Sequence, residues 1–535
     1  MSLYNGKREI TVFVLSIILL IYVGDVTAET ISACDYISSI NRKNITQVVV
    51  KREKEYKDVK KLNIGFNIEL AQIYKSSGDY LNPKLVSLIR LFKPNSLRYP
   101  GGTPSNYFNW EHEILDEFAI DKYANKHIVK LKNRLKKENS GKQPRINLDS
   151  YSELIKQNDL RPFVVLNMFE PNEKIISAID KVKKGLNKTI YWELGNEVFY
   201  KKHTNRILTS GNKWSKYQYI KKVQTITQYI KKNYSQDLVG ISISDTAKWR
   251  NPVKKSTYSE VSYRNEWDYT LKKVSNMVDA VIIHPYIYSQ EDTINNLKEL
   301  NCINKQDDHV FYKTLWNISN ITYLPKVYIS RINKIFGDKP IWLTEIGLYE
   351  DWSESPVSDK KLKHDWNRVI DMTSLYISWL QQYPTVQTLL AHGLFEGFDW
   401  THSIFPDGTL TSNGIAHRAV TDFIERVVSI APITYTAMIK SRGIDRYSKM
   451  PLDFIYGLFG KTVRSNKNIA IIVNASSKAM EIEFPWFIDT VEEASHRQKE
   501  RIDIKNIKST NFYKKRKIES TNFNIKPLSI VLVHG

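Results

Sequence analysis

The sequence predicts an α/β protein, a (β/α)8 barrel of the TIM type followed by a C-terminal β-sandwich. Three observations carry that reading. Eight short β-rich runs alternate with long amphipathic stretches across residues 59–428. The runs lack clean apolar–polar alternation, as strands of a parallel sheet buried on both faces do. From residue 429 to 535 the texture becomes strand, polar loop and strand again, without helical periodicity.

The elements follow in order. An apolar run at 10–23 stands behind Lys7 and Arg8 and ends near the small residues of "VTA" at Ala28. Residues 1–28 read as a secretory signal, too short for a membrane span of about 20 residues. The alternative is an uncleaved signal anchor. No later stretch is long and apolar enough to span a bilayer, so the expected destination is extracellular or lysosome-like. Residues 29–58 form an N-terminal segment in which "ITQVVVKRE" is placed to add a strand to the β-domain.

The barrel strands are expected at 62–70, 95–102, 161–169, 189–197, 238–245, 279–286, 339–347 and 388–398. Patterns such as "LVSLIRLF" and "YSELIKQN" supply helices between them, and "NGIAHRAVTDFIERVV" the last one. The most polar segment, 122–145, falls between the second and third strands and reads as a helix plus tail or a loop. "NIAIIVNASSKAMEIEF" and "NIKPLSIVLVHG" are strands of the β-domain.

The net charge of +21 favours acidic partners: anionic membranes, nucleic acid or acidic polysaccharide. Export disfavours nucleic acid, and no nucleic-acid motif is present. Lys201 and Lys202, Lys248, Arg250, Lys254 and Lys255, and Lys360, Lys361 and Lys363 follow strands four, five and seven. They suit a substrate bearing carboxylate or sulfate groups. A lysine-rich solvated surface is the plainer account. Cys34 and Cys302 leave one disulfide open. Sequons begin at Asn44, Asn187, Asn233, Asn317, Asn320 and Asn474, making the chain a candidate glycoprotein. No metal signature and no dinucleotide fingerprint occurs, so no cofactor is expected.

Catalytic groups of such barrels collect at the carboxyl ends of strands. Strand four ends in Asn196-Glu197 and strand seven in Thr344-Glu345. Paired carboxylates across a barrel mouth suit glycoside cleavage, one as acid/base and one as nucleophile. Glu197 takes the first role, with a pKa expected above the ordinary value, and Glu345 the second. Glu193, four positions back, is expected to face away from the mouth. Gly195 supplies a tight turn and Asn196 a hydrogen bond to a sugar hydroxyl. Arg98 and Tyr286 are placed to hold Glu345 ionised, and His284 either lines the site or sits in the core. Asn67 and Glu69 end strand one, and Glu396 and Trp400 follow strand eight, as further substrate-binding candidates.

In order, "RYPGG", "WELGNE", "IIHPY" and "LTEIG" resemble the clan of retaining (β/α)8 glycoside hydrolases whose acid/base and nucleophile lie on strands four and seven. Within it the chain is similar to the heparanase and β-glucuronidase family in "GGT", the basic insertion and "WELGNE". "RYPGGTPSNYFNW" is similar to the α-L-arabinofuranosidase family. "LTEIGLYE" matches neither nucleophile strand closely. The resemblance implies a retaining hydrolase of oligo- or polysaccharide. A catalytically silent carbohydrate-binding protein on the same scaffold is the alternative from another class.

Overall fold

The computed structural model describes residues 47–52, 55–69, 79–142, 145–208, 211–244, 258–288, 306–349, 366–394, 403, 410–435, 455–463, 465–476, 479–495 and 513–535. Residues 1–46 with Cys34, and Cys302, Glu396, Trp400 and the lysines and arginine at 248–255 and 360–363 lie outside them.

Eight parallel strands close into a barrel: Asn63–Glu69, Ser96–Gly101, Arg161–Leu166, Tyr191–Leu194, Leu238–Ser242, Ala280–Ile283, Ile341–Tyr349 and Val386–His392. Closure comes from the last strand pairing with the first, Ala391 opposite Phe66 and His392 opposite Asn67. The eighth strand stops at His392, short of the predicted 398. The sixth breaks at His284-Pro285, and Tyr286–Tyr288 resumes pairing against strand seven. Within 122–145, Lys126–Glu138 is helical.

Helix starts are set by local chemistry. Asn82 caps Pro83–Phe92, whose proline at the first position lacks only a donor with no helical partner. Asn147, Ser215 and Thr411 cap Leu148–Gln157, Lys216–Asn233 and Ser412–Arg426.

The barrel interior is layered. Phe163, Ala280, Ile282, Trp342 and Leu390 form an apolar plug separate from the main core. Phe163 stacks on Tyr191 at 4.6 Å and meets Trp342 edge-on at 5.4 Å. Gly240 makes room for that indole, since a Cβ there would come within 2.7 Å of the Trp342 ring. Two residues further along the strands, the same inward parity delivers Asn67, Arg98, Glu193, His284, Thr344 and His392.

Strands Val427–Tyr435, Ile455–Thr462, Asn468–Asn474, Met480–Ser495, Lys514–Ile525 and Ser529–His534 build the antiparallel β-domain. Gln47–Arg52 joins it, antiparallel to Val427–Tyr435 and parallel to Met480–Ser495. The long strand changes register between Glu483 and Ile488, at Pro485, where a missing donor costs no ladder bond. One continuous hydrophobic core runs through barrel and β-domain. Hydrogen bonds cross the seam, including Thr322 Oγ1 with Tyr456 OH at 2.8 Å and Trp366 Nε1 donating to the Leu528 carbonyl at 2.6 Å.

Asn187 and Asn233 are exposed, whereas Asn317, Asn320 and Asn474 are buried and give no surface for a glycan. Asn317 donates instead to Asp371 at 2.7 Å. Among the described residues no helix is long and apolar enough to cross a membrane.

Candidate active site

Arg98 organises the upper interior. It is fully buried, and all five of its N–H donors are used. Nε and Nη2 donate to the two Glu193 carboxylate oxygens at 2.8 and 2.6 Å, a bidentate fork. Nη2 also reaches Asn196 Oδ1 at 2.7 Å. Nη1 reaches Asn67 Oδ1 at 2.8 Å and Glu345 Oε1 at 2.6 Å. One guanidinium thus ties strands one, two, four and seven together.

Glu193 departs from expectation. It points into the barrel and forms the floor of the site, because positions 191 and 193 share the inward parity of strand four. Arg98 is correspondingly a positioning residue that presents no surface to a substrate.

The turn after strand four lifts Glu197 above that floor. Gly195 has φ +84°, and a side chain there would strike Val198 Cγ1 at 2.5 Å. Glu197 itself has φ +47°, a left-handed conformation costing a non-glycine residue about 1–3 kcal/mol. Its side chain is 13% exposed, against 6% for Glu345.

Glu345 arrives by a different device. Strand seven carries one extra residue relative to strand eight between Leu343 and Ile346. The bulge turns two successive residues inward. Thr344 Oγ1 hydrogen-bonds His284 Nε2 at 3.0 Å, and Glu345 accepts from Arg98 and, at 2.6 Å, from Tyr286 OH.

The two carboxylates meet at His284. Its Nδ1 lies 3.2 Å from Glu197 Oε1 and 3.6 Å from Glu345 Oε2, so those oxygens are within about 7 Å of each other, a separation that includes the 5–5.5 Å of retaining glycosidases. His392 closes the ring from strand eight, with Nδ1 3.0 Å from Asn67 Nδ2 and 3.6 Å from Glu345 Oε2.

These contacts set the protonation states. Burial opposes charge on Glu345, but His284, His392 and Arg98 outweigh it and hold its pKa at about 2. Burial likewise works against charge on His284, and Glu345 and Glu197 overcome it, raising that pKa. For His392 burial prevails, lowering its pKa to about 4, so it is neutral at pH 7.

Of the sequence candidates, Asn67, Arg98, Asn196, Glu197, His284, Tyr286 and Glu345 come together in one cluster. Glu69 pairs through its backbone with Gly101, and its side chain is outside the described set. Three members of the cluster were not picked from sequence: Glu193, His392 and Asn106. His392 carried the same signal as His284, a histidine ending an apolar strand, in "LLAHG".

No protein-family model matches the chain, and no curated protein matches it in sequence. Solved structures do match in fold. An α-L-arabinofuranosidase from Thermotoga maritima, in an arabinose complex, is 15% identical with a TM-score of 0.60, the match covering 92% of this chain and 100% of that one. A family 51 α-L-arabinofuranosidase from Bifidobacterium longum is 11% identical with a TM-score of 0.61, over 92% and 100% of the two chains. A 4-O-α-L-rhamnosyl-β-D-glucuronidase from Fusarium oxysporum is 11% identical with a TM-score of 0.57, over 91% and 100%. At these identities the likeness is one of fold, and it extends through both domains.

Proposed function

We propose that the chain is an exported glycoside hydrolase that cleaves O-glycosidic bonds with retention, using Glu345 as nucleophile and Glu197 as acid/base. The observation that carries the proposal is the meeting of two carboxylates, from the ends of strands four and seven, at one imidazole nitrogen. Glu345 is held ionised by the Arg98 guanidinium, the Tyr286 hydroxyl and His284. Glu197 is the more exposed of the two and shares a hydrogen bond with His284, a group whose pKa is raised.

In the first step a Glu345 oxygen attacks the anomeric carbon while the Glu197 carboxyl proton passes to the departing oxygen. The bond to the leaving group breaks and a glycosyl ester forms. In the second, Glu197 takes a proton from water, whose oxygen attacks the same carbon and frees Glu345. The Asn196 amide nitrogen, with no partner among the described residues, is available to a sugar hydroxyl beside the reacting carbon. His392, neutral at pH 7, holds Asn67 beside Glu345.

An acidic polysaccharide is the proposed substrate class, on the net charge of +21 and the fold shared with a glucuronidase. An α-L-arabinofuranoside is the second reading, on the fold shared with two arabinofuranosidases. The test is a panel of nitrophenyl glycosides, β-glucuronide and α-L-arabinofuranoside among them, alongside heparan sulfate and hyaluronan. Turnover of one sugar, lost in Glu345→Gln and Glu197→Gln, supports an enzyme. Sugar binding with no turnover on any member would make the chain a carbohydrate-binding protein. A rate on acidic polymer that ignores ionic strength would remove the argument from charge.

A further inference from the structure

We infer that Asn106 is the positioning residue for the general acid, acting on the backbone of Asn196, the residue that precedes Glu197; the inference rests on the glycosidase reading above. Asn106 lies in the one-turn helix Thr103–Tyr107 that follows strand two and is fully buried. Its side chain faces the Asn196 peptide as a strand partner would. Nδ2 donates to the Asn196 carbonyl at 2.6 Å, and the Asn196 N–H donates to Oδ1 at 3.3 Å.

Asn196 sits between two left-handed residues, Gly195 at φ +84° and Glu197 at φ +47°. Glycine adopts this conformation freely. Glutamate does not, so something must impose it. A relaxed, extended Glu197 would swing its carboxylate off the line to His284. The Asn106 amide engages the carbonyl and the N–H of Asn196 together, so it fixes the direction in which the chain enters Glu197. Asn196 is clamped from the other side by Arg98, through its own Oδ1 at 2.7 Å.

Asn106 is itself braced. Its carbonyl accepts from Arg206 Nη1 at 3.1 Å. The Arg206 guanidinium lies over the Phe169 ring at 3.9 Å and beside that of Tyr107 at 4.9 Å, a stacked and buried cation. Ser105 Oγ donates to the Gly102 carbonyl at 2.7 Å and closes the turn. The contacts therefore run from Arg206 through Asn106 to the residue before the acid/base, and reach the nucleophile only through Arg98, which four other contacts hold in place. Losing Asn106 should weaken proton donation and spare attack by Glu345.

Leaving-group dependence separates those two effects. A dinitrophenyl glycoside departs without protonation, and a phenyl glycoside needs the acid. Both would be made on α-L-arabinofuranose and on β-D-glucuronic acid, and kcat/KM measured for wild type, Asn106→Ala, Asn106→Asp and Glu197→Gln in the full chain. The ratio of the two kcat/KM values is independent of how much of a variant folds. The expected result is a ratio raised in both Asn106 variants on the order of 10-fold or more, toward the larger rise in Glu197→Gln. An unchanged ratio overturns the inference, whether activity is kept or falls equally on both substrates. A wild type inert on every glycoside, or a Glu197→Gln with an unchanged ratio, would instead remove the acid/base assignment itself.

Discussion

Two neighbouring layers of the same barrel solve the problem of filling an interior in opposite ways. The lower layer is apolar: Trp342, Phe163, Ile282 and Leu390 interlock around the space left by Gly240. The upper layer, one strand repeat away, is charged, with Arg98, Glu193, Glu345, Asn67 and two histidines bonded to one another. Burying ions is costly even when they are paired, and an apolar replacement is often as stable or more so. On the glycosidase reading, the upper layer is kept for chemistry rather than for stability. The lower layer holds the strands so that the upper one keeps its geometry.

Altering the upper layer should have the largest effect. Arg98→Leu leaves Glu193 and Glu345 buried without their partner, and should cost about 3–5 kcal/mol in denaturant unfolding along with the activity. The combined change Arg98→Met, Glu193→Leu and Glu345→Leu replaces the buried ions of the upper layer with apolar side chains, while Asn67 keeps its partner His392 and His284 its partner Thr344. It should regain wild-type stability or exceed it while staying inactive. A triple variant less stable than Arg98→Leu would mean the charged layer is itself the main support.

Tyr286→Phe is the next step down. It removes one donor to an ionised carboxylate, worth about 1.5–3 kcal/mol. Because that bond favours the charged form, Glu345 should titrate above its present value of about 2, and the acid limb of the kcat/KM profile should move to higher pH. An unmoved acid limb would detach Tyr286 from the charge on Glu345. In the lower layer, Gly240→Ala presses a methyl to 2.7 Å from Trp342 and should cost about 1–3 kcal/mol by thermal melt, chiefly in stability.

The smallest effect concerns pH. His417 packs among Phe66, Phe92 and Tyr376 outside the barrel, with neither ring nitrogen hydrogen-bonded among the described residues. Burial lowers His417 and His203 to about 3 and His392 to about 4. The unfolded chain takes up those protons near pH 6.5 and the folded one does not, so stability should fall from pH 6.5 toward 4 by up to about 1.4 kcal/mol per pH unit per group. Glu345 and Glu492, both held at about 2, add to the loss below their unfolded values near 4.5. His284 acts in the other sense: its raised pKa stabilises fully below about 6.5, and that contribution fades as pH rises through the folded value. His417→Phe should leave stability at pH 7 within about 1.5 kcal/mol of wild type and flatten the acid slope by one group's share. An unchanged slope would show that His417 already takes a proton when folded.

The two layers also differ in how far the sequence disclosed them. Apolar strands buried on both faces announce themselves, and all eight barrel strands overlap the eight expected ranges, with "GFNI", "FVVL", "AVII" and "IWL" in four of them. Glu197 and Glu345 were legible because a carboxylate ending a buried strand breaks the apolar pattern. Glu193 breaks it too, but parity alone does not say that two carboxylates on one strand occupy two heights. That depends on the turn at Gly195. The bulge at Thr344-Glu345 was equally hidden, since an extra residue in one strand shows only against its partner. His392 was readable and passed over in favour of residues further along. Asn106 sits in a turn whose importance comes from a contact 90 positions away in sequence.

The most direct test of the central claim is intact-mass and peptide mass spectrometry after incubation with a dinitrophenyl 2-deoxy-2-fluoro glycoside of the sugar the enzyme cleaves. The predicted result is one added glycosyl group, esterified to the peptide containing Glu345 and absent in Glu345→Gln. Turnover with inverted anomeric configuration, or an adduct on any other residue, would contradict it.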